Sequence, residues 1–140
     1  MSRQPLIALA STDAVVFLLA MPGVIDSQAA GIDARTSRQD GVTITVEPKG
    51  LPQGAKTWDF AVTLETHTQD LDDDLVQSTT LLADGTPHRP LGWNGPPPGG
   101  HHRKGVLRFA AVTPLPQVVE LQIRREGESA PRIFRWQTME

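Results

Sequence analysis

There is no cysteine anywhere in the chain, which excludes disulfide stapling and every thiolate metal site. Rings are scarce as well: aromatics make up 5% and tyrosine is missing altogether. A core must then be anchored by a few residues, and Trp58, Phe60, Phe109, Phe134 and Trp136 are placed to do it. Neither sign of charge dominates. The formal net charge is -3, and removing residues 1–29 takes away Arg3, Asp13 and Asp26 and leaves -2. Nucleic acid is therefore not expected as the main partner, because neutralising phosphates requires a clear cationic excess. Beyond residue 29 the one methionine is Met139, so a thioether-rich Cu(I) site is also excluded. Signatures of catalysis are absent in the same way. The sequence has no Gly-x-Ser-x-Gly elbow, no His-Glu-x-x-His helix and no phosphate-cradling loop leading into a helix, and the expectation is a protein without enzymatic activity.

Residues 1–29 have the layout of a targeting segment. Arg3 precedes the apolar run Ala14, Val15, Val16, Phe17, Leu18, Leu19, Ala20, Met21, a turn at Pro22-Gly23 follows, and Ser27-Gln28-Ala29 offers a small-residue cleavage site. That apolar run falls short of the roughly 20 residues needed to span a bilayer, so no stable membrane insertion is expected once the segment is cleaved. An uncleaved anchor is the alternative. The expected location is periplasmic or secreted. Residues 30–41 are polar and aperiodic and read as a flexible linker, which leaves 42–137 as one domain. A domain of about 100 residues can be held together by core burial without cross-links.

Within that domain apolar and polar residues alternate in short runs. Val42, Ile44 and Val46 alternate with Thr43, Thr45 and Glu47, and Trp58, Phe60, Val62 and Leu64 alternate with Asp59, Ala61, Thr63 and Glu65, the period of half-buried strands. Further strands are expected over 76–83, ending at Asp84-Gly85, and over 88–93, a short return strand kept to an edge by Pro87 and Pro90. Three more are expected over 105–112, 119–124 and 132–136. Seven short strands, with turn signals every ten or so residues and no amphipathic helix, predict an immunoglobulin-like antiparallel β-sandwich.

The polar residues that stand out lie in two loops. One is the proline- and glycine-rich stretch from Trp93 through Gly99, Gly100, His101, His102 and Arg103; the other is the acidic turn holding Asp70, Asp72 and Asp74, which follows His67. Extending the register back from Leu107 and Phe109 puts His101 and Arg103 on the inward set and His102 outward, while His67 is outward on its own strand. Two uses compete. His67, His101 and His102 with Asp70, Asp72 and Asp74 could form a nitrogen/oxygen site for Zn²⁺ or Cu²⁺. Alternatively, Arg103 pairs with Asp74 as a clasp between the loops, and Trp93 either caps the core or meets a protein or glycan partner. The acidic turn is not an EF-hand, because Leu75 stands where the sharp-turn glycine is needed and Leu81 where the closing glutamate is needed; a looser calcium site of loop oxygens stays open.

Two segments also carry a resemblance. Thr66-His67-Thr68 with Leu71, Asp74 and Leu75, together with Trp93, Gly95, Gly99-Gly100-His101-His102-Arg103, Gly105-Val106-Leu107 and Phe109, resemble an uncharacterised family of small exported bacterial and archaeal all-β proteins. The similarity runs from about Val42 to Trp136. It implies an exported all-β domain in which the Thr-His turn and the Gly-Gly-His-His-Arg loop belong to one constellation, and it implies no established reaction. This chain departs from the pattern with Thr68, where a serine is usual, and with the run Asp72-Asp73-Asp74.

Overall fold

A computed structural model describes residues 32–138; the expected targeting segment, 1–29, lies outside them. In chain order the elements are β1 (Arg35–Gln39), β2 (Val42–Pro48), β3 (Thr57–Thr66), the helical turn α1 (Leu75–Ser78), β4 (Thr79–Ala83), β5 (Thr86–His88), β6 (Gly92–Asn94), β7 (His102–Ala110), β8 (Val118–Ile123) and β9 (Arg132–Gln137). They form two antiparallel sheets, ordered β1-β2-β3-β7-β6 and β5-β4-β8-β9. The fold is a two-sheet antiparallel sandwich, as the alternation predicts.

The core lies where the alternation puts it. Trp58, Phe60, Val62 and Leu64 of β3 and Leu107 and Phe109 of β7 meet Leu121 and Ile123 of β8 and Phe134 and Trp136 of β9, all of them buried. Phe60 contacts Phe109 edge-on, with ring centroids 5.5 Å apart, and Trp136 at 6.0 Å. The five expected aromatic anchors thus form one cluster between the sheets.

Three segments differ from expectation. Residues 35–39, read as part of a linker, form the edge strand β1, joined to β2 by the turn Asp40-Gly41 with φ of 51° and 80°. Two positive φ values make the primed hairpin turn whose twist suits antiparallel strands, and Asp84-Gly85 repeats it between β4 and β5 with 49° and 87°. The return strand over 88–93 is two strands in different sheets, β5 and β6. The third strand begins as α1, because the Asp74 carboxylate accepts from the backbone N–H groups of Val76 and Gln77, both at 3.2 Å.

β1 also leans across the sandwich onto β9. Arg35 donates to the Arg135 carbonyl at 3.3 Å and the Trp136 indole N–H to the Asp33 carbonyl at 2.7 Å. Among the described residues no helix is long and apolar enough to cross a membrane.

Candidate functional site

The Thr-His turn, the acidic loop and the Gly-Gly-His-His-Arg loop meet at one end of the sandwich, joined through their backbones. Thr66 N–H donates to the His101 carbonyl at 3.0 Å, Leu71 N–H to the Gly100 carbonyl at 2.9 Å, and Gly99 N–H to the Leu71 carbonyl at 2.7 Å. Gly99 and Gly100 have φ of 121° and 78°, values that side-chain-bearing residues rarely adopt, and so the chain can reverse there and pair with Leu71. The buried Thr66 hydroxyl donates to the Gly41 carbonyl at 2.8 Å and accepts from the Thr68 N–H at 3.2 Å. The threonines of the turn thus tie it to the β1–β2 turn, while His67 between them is exposed.

Arg103 is inward, as its register predicts, and only 1% exposed. Its partners are backbone carbonyls: Leu71 at 3.3 Å, Asp73 at 2.8 Å and Pro96 at 3.2 Å. The expected pairing with Asp74 is therefore corrected, because that carboxylate is occupied in capping α1. Burial lowers the Arg103 pKa, opposed by the charges of Asp73, Asp72 and Asp74. The guanidinium carbon lies 5.6 Å from the centroid of Trp93, within cation–π range.

Trp93 belongs to the same unit. Its indole N–H donates to the Pro96 carbonyl at 2.9 Å, and its ring lies over two glycines that leave no room for a side chain. A Cβ on Gly95 would stand 2.6 Å from the ring, and one on Gly105 would stand 2.5 Å from the Asn94 carbonyl oxygen and 2.8 Å from the ring. Trp93 is partly buried and packs against the core.

The metal-ligand set is not brought together. His67, His101, His102, Asp70, Asp72 and Asp74 are all exposed, and among the described residues no group of three or more histidine or acidic side chains could hold an ion. His101 departs from its expected inward place because β7 starts only at His102, so the register does not extend to it. Nε2 of His102 lies 3.4 Å from the Glu65 carboxylate, with both side chains more than half exposed.

Sequence reasoning missed a second fastening built from Arg125 and Arg132. Arg125 binds the Asp73 carboxylate through Nε at 2.9 Å and through a terminal nitrogen at 3.1 Å, and it donates to Glu128 at 3.2 Å. Arg132 holds Glu128 at 3.0 and 2.6 Å and donates to the carbonyls of Val42 at 2.8 Å, Gln39 at 2.7 Å and Ser37 at 3.2 Å. An unbroken polar chain thus runs from the acidic loop, through the β8–β9 turn, to the β1–β2 turn. Arg132 holds the Glu128 carboxyl below its ordinary pKa, chiefly by hydrogen bonding, with Arg125 adding to the effect against burial. Burial pulls the Arg125 pKa down, but Asp73 and Glu128 together leave it raised. A signal was available: Arg125 continues the inward set Val119, Leu121, Ile123, and Arg132 opens the inward set Phe134, Trp136.

Beside this chain lies an open groove of about 690 Å³ over the outer face of the β4–β8 pair, between the acidic loop and the β8–β9 turn. Thr80 and Gln122, opposite each other on β4 and β8, line it together with Asp70, Asp72, Arg89 and Arg124.

No protein-family model matches the chain, and no curated protein matches it. Among solved structures, the secreted protein MPT63 from Mycobacterium tuberculosis is similar, with 15% sequence identity, a TM-score of 0.43, and coverage of 75% of this chain and 92% of its own. At that level of likeness no residue role passes from one protein to the other.

Proposed function

We propose that this chain is an exported, non-enzymatic β-sandwich module that contacts a protein or glycan partner, and that the Arg103 constellation is its structural clasp. The observation that carries this reading is the Arg103 guanidinium, buried and used on three loop carbonyls. A group so placed organises loops, and a substrate could not reach it. Export is supported by the targeting layout of residues 1–29. The surface offered to the partner is the groove, whose Thr80 and Gln122 floor and flanking carboxylates and guanidinium groups suit hydrogen bonding to polar ligands.

The test sets the purified protein beside the double variant Thr80→Arg/Gln122→Arg on a glycan array and a displayed-peptide library. Both replaced side chains face outward, so the variant fills the groove while leaving the clasp alone, and an unchanged melting temperature would verify that. Ligands bound by the wild type and lost in the variant support the groove as the contact. Ligands held equally by both would remove the groove, and chemical conversion of a bound ligand would remove the non-enzymatic reading.

A further inference from the structure

The groove carries charges of both signs, and some are committed while others are not. The Asp73 carboxylate is taken by Arg125, and one oxygen of Asp74 caps α1. Asp70 and Asp72 on the acidic loop, with Arg124 and Glu126 on the β8–β9 turn, are exposed and enter none of the ion pairs among the described residues. Arg89 gives one N–H to the Gln77 carbonyl at 3.4 Å and has no carboxylate partner there either. The acidic loop thus offers carboxylates that no cation of the chain pairs, and the groove offers guanidinium groups that no carboxylate of the chain pairs.

Two further features point to a ligand lying across the sheet. The Ser78 hydroxyl, on the lining of the groove, is buried and finds no hydrogen-bond partner among the described residues. Buried polar atoms are normally satisfied, and a ligand entering the groove can supply the missing partner. The floor also continues sideways. Gln122 stands opposite Thr80 on β4 and opposite Ile133 on β9, so the three side chains share the outer face of the sheet. Gln122 donates to Glu120 at 2.6 Å, and its amide oxygen has no partner. Ile133 is 55% exposed, one of two large apolar side chains standing in water among the described residues.

We infer that the groove binds an extended polypeptide segment carrying both signs of charge: a basic side chain on Asp70 and Asp72, an acidic one on Arg124, and an apolar one over Ile133. As a narrowing of the partner to a polypeptide, this rests on the groove being the contact surface. The charges favour a polypeptide over a glycan, because a neutral sugar would displace water from carboxylates and guanidinium groups and return no counter-charge. The lining favours it too. No aromatic ring lines the groove, so the apolar face of a sugar ring has nothing to stack on, whereas peptide N–H and C=O groups match the hydroxyls of Ser78 and Thr80 and the amide of Gln122. Complementary charge sets orientation and rejects wrong partners more than it adds affinity. Exposed ion pairs are individually weak, and the two carboxylates together are worth about twofold to tenfold in binding.

The experiment measures fluorescence anisotropy of short labelled peptide pools against the purified protein. Mixed-charge, basic, acidic and uncharged pools are compared, beside neutral oligosaccharides, at low and at physiological ionic strength. The mixed-charge pool is expected to bind most tightly and to weaken with salt. Asp70→Asn/Asp72→Asn should bind the mixed and basic pools about twofold to tenfold more weakly, while Arg124→Gln should weaken the mixed pool and spare the basic one. Both aspartates are exposed and asparagine is nearly isosteric, so an unchanged melting temperature is expected and checks the fold. Ser78→Ala should weaken binding without lowering the melting temperature, since its hydroxyl bonds nothing in the free protein. Preference for the uncharged pool, no binding by any pool, or equal binding by wild type and Asp70→Asn/Asp72→Asn would overturn the inference. Oligosaccharides bound by the wild type, lost in Thr80→Arg/Gln122→Arg and kept in Asp70→Asn/Asp72→Asn would overturn it while leaving the groove as the contact. Peptides held equally by the wild type and Thr80→Arg/Gln122→Arg would remove the groove itself, and the inference with it.

Discussion

Replacing Arg103 by alanine isolates what the clasp contributes, because its three acceptors are not equally dependent on it. The Leu71 carbonyl keeps the Gly99 N–H and the Pro96 carbonyl keeps the Trp93 indole N–H, so the Asp73 carbonyl is the acceptor left without a partner. One partly buried carbonyl left unsatisfied costs about 1–3 kcal/mol, and the space left by a long buried side chain adds about 2 kcal/mol more. The expected loss for Arg103→Ala is about 3–5 kcal/mol, or roughly 10–25 °C in melting temperature for a domain of this size. Arg103→Met fills most of the space and removes the cost of burying a charge, yet still strands the Asp73 carbonyl; its expected loss is about 1–3 kcal/mol. Urea unfolding followed by circular dichroism measures both, and an unchanged m-value shows that the same surface is exposed in each case. A loss below about 1 kcal/mol in Arg103→Ala would refute the clasp, since the orphaned carbonyl alone should exceed it.

The glycines under Trp93 give a second prediction. A Cβ at position 105 meets the Asn94 carbonyl oxygen at 2.5 Å and the Trp93 ring at 2.8 Å, so Gly105→Ala must move backbone or ring and is expected to cost about 1–3 kcal/mol; in a Trp58→Phe/Trp136→Phe background, tryptophan emission should shift red as Trp93 lifts into water. Metal ions give a third. With the six candidate ligands exposed and not gathered, Zn²⁺ or Cu²⁺ added to chelator-treated protein should leave the melting temperature unchanged, whereas a native-state site filled at 100 times its dissociation constant would add about 2.7 kcal/mol. A shift that disappears in His67→Ala or His102→Ala would restore the metal reading.

Strands with one buried face were legible because burial imposes a period of two. β2, β3, β8 and β9 show it residue by residue in their alternating exposure. β1 shows no such period: none of its residues is buried, and it is held by backbone pairing with β2. The one local sign of it was the Asp40-Gly41 dipeptide. The division of the return strand between β5 and β6 leaves no trace in periodicity either, since a strand reads the same in whichever sheet it pairs. At the site, the inward direction of Arg103 was legible from Leu107 and Phe109, but its acceptors were not, because every residue carries a carbonyl and no side-chain pattern marks those that lack a partner. The same alternation marks Arg125, two residues beyond Ile123 at the end of β8, and Arg132, which opens the inward set of β9. His101 lies before the first residue of β7, where the alternation no longer applies.

Three inward arginines at the ends of three strands answer a difficulty that this composition creates. Loops closing the end of a sandwich carry carbonyls that must find donors once water is excluded, and without cysteine the loops cannot be stapled covalently. A guanidinium group supplies five N–H donors in a rigid fork, which a lysine ammonium cannot reproduce, so one side chain can fasten several loop carbonyls at once. Burying its charge is costly unless something balances it. Arg103 meets that cost by hydrogen-bonding backbone carbonyls, with the acidic loop's charges nearby, while Arg125 and Arg132 are hydrogen-bonded directly to the carboxylates of Asp73 and Glu128. The first fastens the chain through carbonyls that every residue carries, and the second through carboxylates that only Asp73 and Glu128 supply.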